Sequence, residues 1–217
     1  MTTSDLHGTA TRSAHGRRAA MSKGDRRESA LLDSVEELLA TRPLAEITLA
    51  DIASNIGLSR SSAYFYFDNK FALVEAAVLR VLDRLLETLR PRASHPEEPL
   101  AVTVDKYLLD CTTLWRGHAP LLGAAVNLLG QRPRLRAAWE KAMKEAAESL
   151  ATVIANKRAQ GQLPDTGDPQ ELALAIAWMA ERSYYMLYSR EHTTAEEEHL
   201  PAVLSSLILH GVGAGAT

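Results

Sequence analysis

Residues 48–70 constrain this 217-residue chain more than any other stretch. Reading TLADIASNIGLSRSSAYFYFDNK, they lay out a helix, a glycine-marked turn and a second short helix. Thr48 can cap the opening amides of the first helix, with Asp51 three residues on placed for a capping-box-like return bond. Leu49, Ile52, Ala53 and Ile56 then form one apolar stripe at i, i+3, i+4 and i+7. Gly57 follows where the backbone must turn left-handed, a conformation that strains any residue carrying a Cβ. Ser59 can cap the second helix, whose outward face is expected to carry Arg60, Ser61, Ser62, Ala63 and Tyr64. A helix with a small, hydrogen-bonding face fits a DNA major groove, which admits one helix and offers base-edge donors, acceptors and thymine methyls. The competing reading is a plain helical hairpin with a solvated face.

The tail of the motif, Tyr64-Phe65-Tyr66-Phe67-Asp68-Asn69-Lys70, favours the DNA reader. With Ile52-Ala53, Gly57-Leu58-Ser59, Tyr64, Tyr66-Phe67, Lys70 and Leu73, the segment resembles the TetR/AcrR family of one-component transcriptional repressors. It departs from the family pattern at Ser62-Ala63 and at Phe71, where an acidic residue is common. The resemblance implies a DNA-binding set of Thr48, Ser59, Arg60, Ser61, Ser62, Tyr64, Tyr66 and Lys70. In it Tyr66 leans toward the DNA backbone and Lys70 meets a phosphate, while Phe65 and Phe67 are expected in the core.

The net charge of −3 excludes a surface coated in positive charge, so DNA contact has to come from local placement. Arg12, Arg17, Arg18, Lys23, Arg26 and Arg27 crowd the N-terminus among Gly8, Gly16 and Gly24. Residues 1–24 therefore read as a basic arm, disordered alone and able to follow a phosphate backbone or enter a minor groove; a solubilising leader is the alternative. No apolar run follows these residues, which argues against a secretory signal. Cys111 is the only cysteine, so an intrachain disulfide and a thiol-rich metal site are excluded. With no uninterrupted apolar run of membrane-spanning length, the chain reads as cytoplasmic.

Elsewhere the hydrophobic period is helical. A helix from about Arg26 to Thr41 precedes the motif, and a long one runs from Lys70 to Pro91. Pro91, Pro96 and Pro99 mark a linker, followed by helices near 99–116, 118–130, 134–160, 168–190 and 197–211. The expected fold is all-α, an N-terminal three-helix helix-turn-helix DNA-binding domain plus a C-terminal helical ligand-binding and dimerisation domain. The divisions fall at 25–70 for the DNA-binding part, 71–90 for a connecting helix and 91–217 for the effector-binding and dimerisation part.

All three tryptophans lie in that body. Tyr107, Cys111 and Trp115 share one helical face, Trp139 and Met143 another, and Trp178, Arg182 and Tyr185 a third. Converging, they would line an apolar, aromatic effector pocket; aromatics at helical spacing are otherwise plain core. The Trp178-Met179-Ala180-Glu181-Arg182 stretch and the Trp139 helix are similar to the ethionamide-repressor branch of the family, which implies a long apolar pocket and a small apolar or aromatic effector. The 168–190 helix, with a small-residue face of Ala173, Ala177 and Ala180, and the 197–211 helix, with Val203, Leu204, Leu207 and Ile208, are expected to form a two-fold homodimer interface.

An enzyme is disfavoured, because the chain has no glycine-rich phosphate loop, HExxH or nucleophile elbow. His192 and His199 flank Glu196, Glu197 and Glu198, which read as a solvated acidic loop before the last helix rather than a metal site. No cofactor or metal is expected. The leading function is a ligand-responsive repressor holding a palindromic operator through the helix at 59–65. The alternative is a helix-turn-helix dimer with no small-molecule effector.

Overall fold

The computed structural model describes residues 22–89, 97–165 and 167–214. Among them every regular element is helical: α1 (Lys23–Leu39), a 3-10 turn (Leu44–Glu46), α2 (Leu49–Asn55), α3 (Arg60–Tyr66), α4 (Lys70–Leu89), α5 (Leu100–Leu128), α6 (Pro133–Ala159), α7 (Pro169–Tyr188) and α8 (Thr194–Gly211).

The first three helices form a headpiece around Leu31, Val35, Ile47, Ile52, Ala53 and Ala63. Inside it the buried Ser34 hydroxyl donates to the Ile52 carbonyl at 2.9 Å and accepts from Asn55 Nδ2 at 3.2 Å, fixing α1 across α2. The α1 helix starts earlier than its periodicity predicts, because Ser22 and Asp25 form a full capping box. Lys23, Arg26 and Arg27 are therefore helical, and the remainder of the expected basic arm, residues 1–21, lies outside the described residues.

The α4 helix buries Leu73, Val74, Ala77, Val78, Val81, Leu82, Leu85 and Leu89 along one stripe. Its first half packs on α1, where Arg80 pairs with Asp33 at 2.7 Å, and it also packs on α5 and α6 of the body. In the body α6 lies along α7, and α5 lies along both α7 and α8.

Two boundaries differ from the sequence reading. The expected break near Pro120 is absent, and α5 runs through it as one helix. A proline costs a helix one backbone bond and a local clash, but Trp115 on one side and Leu121 and Leu122 on the other are all buried, and that packing holds the helix together. At the C-terminus the expected acidic loop is the first turn of α8. Thr193 and Glu196 form a capping box, and Glu196 also pairs with Arg190 at 2.6 Å. Those bonds hold the Glu196 carboxyl down at about 2. Glu197 is bound instead by Arg116 and Tyr188. Among the described residues no group of three or more His, Cys, Asp or Glu is placed to hold a metal ion. None of the described helices is long and apolar enough to cross a membrane.

Candidate functional site

The α2–α3 unit is set by local chemistry. Thr48 and Asp51 exchange bonds, Asp51 N donating to Thr48 Oγ1 at 3.1 Å and Thr48 N to Asp51 Oδ2 at 2.8 Å. The Thr48 hydroxyl and amide hold the Asp51 carboxyl below its ordinary range. Gly57 has φ +68°, and nothing lies within 4 Å of a Cβ built there, so its requirement is conformational rather than steric. Ser59 caps α3 by accepting from Ser62 N at 3.2 Å, and its hydroxyl also meets those of Ser61 and Ser62.

With α3 so fixed, Arg60, Ser61 and Tyr64 lie on its exposed side. The Arg60 guanidinium stands 5.4 Å over the Tyr64 ring and reaches its hydroxyl at 3.4 Å, a pairing the i, i+4 spacing permits. Two expectations are corrected, and a third residue has a partner that the sequence does not show. Ala63, expected outward, is fully buried because it faces the α1–α2 core. Phe65, expected in the core, is 84% exposed. One residue beyond Tyr64, it continues the outward side, meeting Tyr66 edge-on at 5.2 Å, while Phe67 alone turns inward. Lys70, expected at a phosphate, donates to the carbonyls of Leu44 (2.7 Å), Ile47 (2.7 Å) and Ala45 (3.3 Å). An ammonium has three donors, and all three are engaged in orienting the turn that leads into α2.

In the body, α4, α5, α6 and α7 enclose a cavity of about 30 Å³. Of the expected pocket residues, Tyr107, Cys111, Trp115, Trp139 and Met143 line it. Trp178, Arg182 and Tyr185 do not line it. At 100° per residue, Ala177, Glu181 and Tyr184 share the α7 face toward the cavity, and Trp178, Arg182 and Tyr185 sit one residue further round. Arg182 is exposed, its guanidinium 5.0 Å over the Tyr185 ring, and Tyr185 donates to Asn127 at 3.0 Å.

Glu181 is the lining residue that apolar patterning passes over. It is 7% exposed, both carboxylate oxygens are buried with no hydrogen-bond partner, and Arg182 Nε stands 3.9 Å away. Burial pushes its carboxyl above the ordinary range, with Arg182 opposing. The Trp139 Nε1 donor is also buried and unpartnered. The Tyr184 hydroxyl is spent on the Leu108 carbonyl at 2.8 Å and on Thr112, and burial raises its pKa. Burial beside the Cys111 thiol likewise pushes the Tyr107 hydroxyl well up.

A second and larger hollow, about 560 Å³, opens between headpiece and body, with Leu44 and Phe71 on one side and Pro120, Asn127 and Tyr185 on the other. His118 of α5 also pairs with Glu36 of α1.

The α7 and α8 helices leave Met186, Val203 and Leu207 exposed, at 56%, 41% and 55%. The small-residue face of α7, expected to allow close approach to a partner, is already used inside the chain: Ala173, Ala177 and Ala180 are buried. Leu204 and Ile208 are buried as well, so the expected α8 stripe splits into an inward and an outward pair.

Residues 31–77 match the family of bacterial regulatory proteins described as tetR, and residues 107–212 match the C-terminal domain of the transcriptional regulator EthR. The chain is 32% identical over 208 residues to the HTH-type transcriptional regulator EthR of Mycobacterium tuberculosis, covering 89% of this chain and 88% of that one. It is 28% identical over 206 residues to the EthR of Mycolicibacterium smegmatis, covering 93% of each. Among solved structures, the fatty acid degradation regulator FadR of Bacillus halodurans superposes with a TM-score of 0.72 at 13% identity, over 90% of this chain and 99% of that one. A TetR/AcrR regulator of Thermobifida fusca gives 0.69 at 22% identity, over 86% and 98%. These two structural likenesses concern the fold.

Proposed function

This chain belongs to the TetR family as an EthR-like helix-turn-helix transcriptional regulator, and we propose that it is a repressor whose homodimer reads a palindromic operator through α3 and lets go when a small apolar effector enters the body cavity. The observation that carries the DNA half is the outward side of α3. Arg60, Ser61, Tyr64 and Phe65 stand exposed on a helix whose aim is fixed at both ends, by Gly57 and the Ser59 cap before it and by buried Phe67 after it. Arginine reads guanine edges, hydroxyls take either donors or acceptors, and an exposed aromatic ring matches a thymine methyl. Thr48, Ser59, Ser62 and Tyr66 support this surface as caps and flanking contacts.

Residues 25–70 act as the reading part, α4 as the connector and the remaining helices as the effector-binding and dimerising part, on chromosomal DNA in the cytoplasm. Two reading helices meet successive major grooves when about 34–36 Å apart, which a two-fold pairing through α7 and α8 would set. Exposed Met186, Val203 and Leu207 supply the apolar contact for that pairing.

Footprinting the full chain on its own genomic DNA tests the reading. A protected site with two half-sites one helical turn apart, lost in Arg60→Ala, supports it, and the absence of any protected palindrome refutes it. The cavity volume of about 30 Å³ favours a second reading, a DNA-binding dimer with no effector. That reading would prevail if small apolar compounds perturb neither the cavity tryptophans nor operator affinity.

A further inference from the structure

The body cavity holds a chemical mismatch. Its walls are leucines, a methionine and aromatic rings, yet Glu181 brings into them a carboxylate whose two oxygens have no hydrogen-bond partner. An unpaired buried carboxylate costs free energy unless something supplies a charge or a donor. The protein supplies little: Arg182 stays exposed at 3.9 Å, and the Tyr184 hydroxyl is committed to Leu108 and Thr112. Four aromatic residues share the cavity lining with Glu181: Trp115, Trp139, Tyr107 and Tyr184. A carboxylate within aromatic walls is the combination that recognises an organic cation, the carboxylate pairing with its charge and the ring faces attracting it through their quadrupoles.

We propose that the cavity takes a protonated amine carrying an apolar chain or ring, with Glu181 as its counter-ion and acceptor and Trp115 and Trp139 among its walls. The inference rests on the effector reading above and narrows its ligand class from apolar to apolar with a cationic head.

The volume sets what does the selecting. About 30 Å³ exceeds the roughly 10–15 Å³ that one water needs, and it accommodates an ammonium head but not the body of a ligand. The apolar part has to displace side chains such as Met143 and the leucines, so little of its burial comes free. The waiting carboxylate then decides between ligands of equal apolar size. A metal ion does not suit the site, because one carboxylate among apolar walls falls far short of the six or more oxygens that a hard cation gathers. An anion would face an uncompensated like charge.

The test titrates the full-length protein with n-octylamine, n-octanol and octanoate, which share an eight-carbon chain. Tryptophan emission is followed in a Trp178→Phe background, so that only Trp115 and Trp139 report. High salt screens adsorption of the amine to surface carboxylates. The amine is expected to bind at least about tenfold more tightly than the alcohol, as a charge-assisted bond warrants, with octanoate weakest. Glu181→Gln is expected to bring amine and alcohol together. Equal affinity for amine and alcohol in the parent protein, or an amine preference that survives in Glu181→Gln, overturns the cation assignment and leaves the effector reading standing. No change in emission with any of the three compounds overturns both. The parent comparison requires no variant, so it decides even if Glu181→Gln fails to fold.

Discussion

Replacing Lys70 by methionine separates a structural tie from a DNA contact. Methionine keeps the apolar stem and removes only the ammonium, which bonds the Leu44 and Ile47 carbonyls at 2.7 Å and that of Ala45 at 3.3 Å. A hydrogen bond to a charged group contributes about 1.5–3 kcal/mol. Two of these three are short; Lys70 is only half-buried, and a cation at the first residue of α4 opposes the helix dipole by a few tenths of a kcal/mol. The expected net loss is about 2 kcal/mol, a sizeable share of the roughly 5–15 kcal/mol that keeps a domain folded. At fixed protomer concentration, thermal unfolding should fall by about 4–8 °C for a chain of this length. Operator affinity measured across salt concentrations well below that transition should keep its slope. A phosphate contact would behave oppositely: stability would hold, and the log–log slope would fall by about 1.8 per dimer, 0.9 from each protomer. That second outcome would refute the assignment of Lys70 to the α2 turn.

Alanine at Arg60 or Tyr64 should weaken operator binding by about 1–3 kcal/mol per lost base contact with unfolding unchanged, and the double variant should fall short of additive because the two side chains touch; gel-shift titrations read both. Leu207→Glu places a charge on the exposed apolar strip of α8 and should shift sedimentation from dimer to monomer without melting the chain. Glu181→Gln should stabilise the protein near neutral pH by about 1–3 kcal/mol, since a buried charge with no hydrogen bond, opposed only by exposed Arg182 at 3.9 Å, is removed. Burial raises the Glu181 carboxyl in the folded state, so the stability held by its protonated form is fully present below the unfolded value and lost as pH rises through the folded one. Urea unfolding should therefore show the variant's advantage shrinking toward about pH 4. Deleting residues 1–21, which leaves the Ser22 cap of α1 in place, should flatten the salt dependence of binding to every sequence, and an identical slope would make the arm a leader only.

What the sequence makes legible is what local chemistry decides. The Thr48–Asp51 box, the positive φ of Gly57 and the Ser59 cap are each settled within a few residues, and each is readable from spacing. Pro120 misleads because its local cost is outweighed by contacts from α7 and α8 that lie far along the chain. Phe65 misleads because aromatic character predicts burial, whereas the rotation of α3, set by Ala63 and Phe67, points it outward. Lys70 is legible only in part: a cation beside a DNA-reading helix invites a phosphate partner, and only the tertiary fold brings three carbonyls within its reach. Glu181 was legible in register, four residues after Ala177 and three before Tyr184. Its charge points the other way, because a charged residue is expected to lie outside.

Under the proposed effector reading, any coupling between cavity and operator would turn on which wall gives way. A ligand larger than about 30 Å³ has to push one of four helices. On the α7 side Tyr184 is pinned to α5 through Leu108 and Thr112, and α7 also packs on α6. The α4 helix meets the cavity with Leu82 and Leu85, while its polar anchors, Lys70 and Arg80, are fastened to the headpiece. If α4 is the wall that yields, it would carry the reading helices with it. Leu85 lies 15 residues beyond Lys70, about 22 Å along the axis, so a 2 Å displacement there corresponds to a tilt of roughly 5°. The 560 Å³ hollow between headpiece and body leaves room for such a swing. A compound that fills the cavity without displacing Leu82 and Leu85 should saturate the emission of Trp115 and Trp139 and leave operator affinity unchanged. One long enough to shift α4 should change both at the same concentrations, with a coupling of about 1–3 kcal/mol.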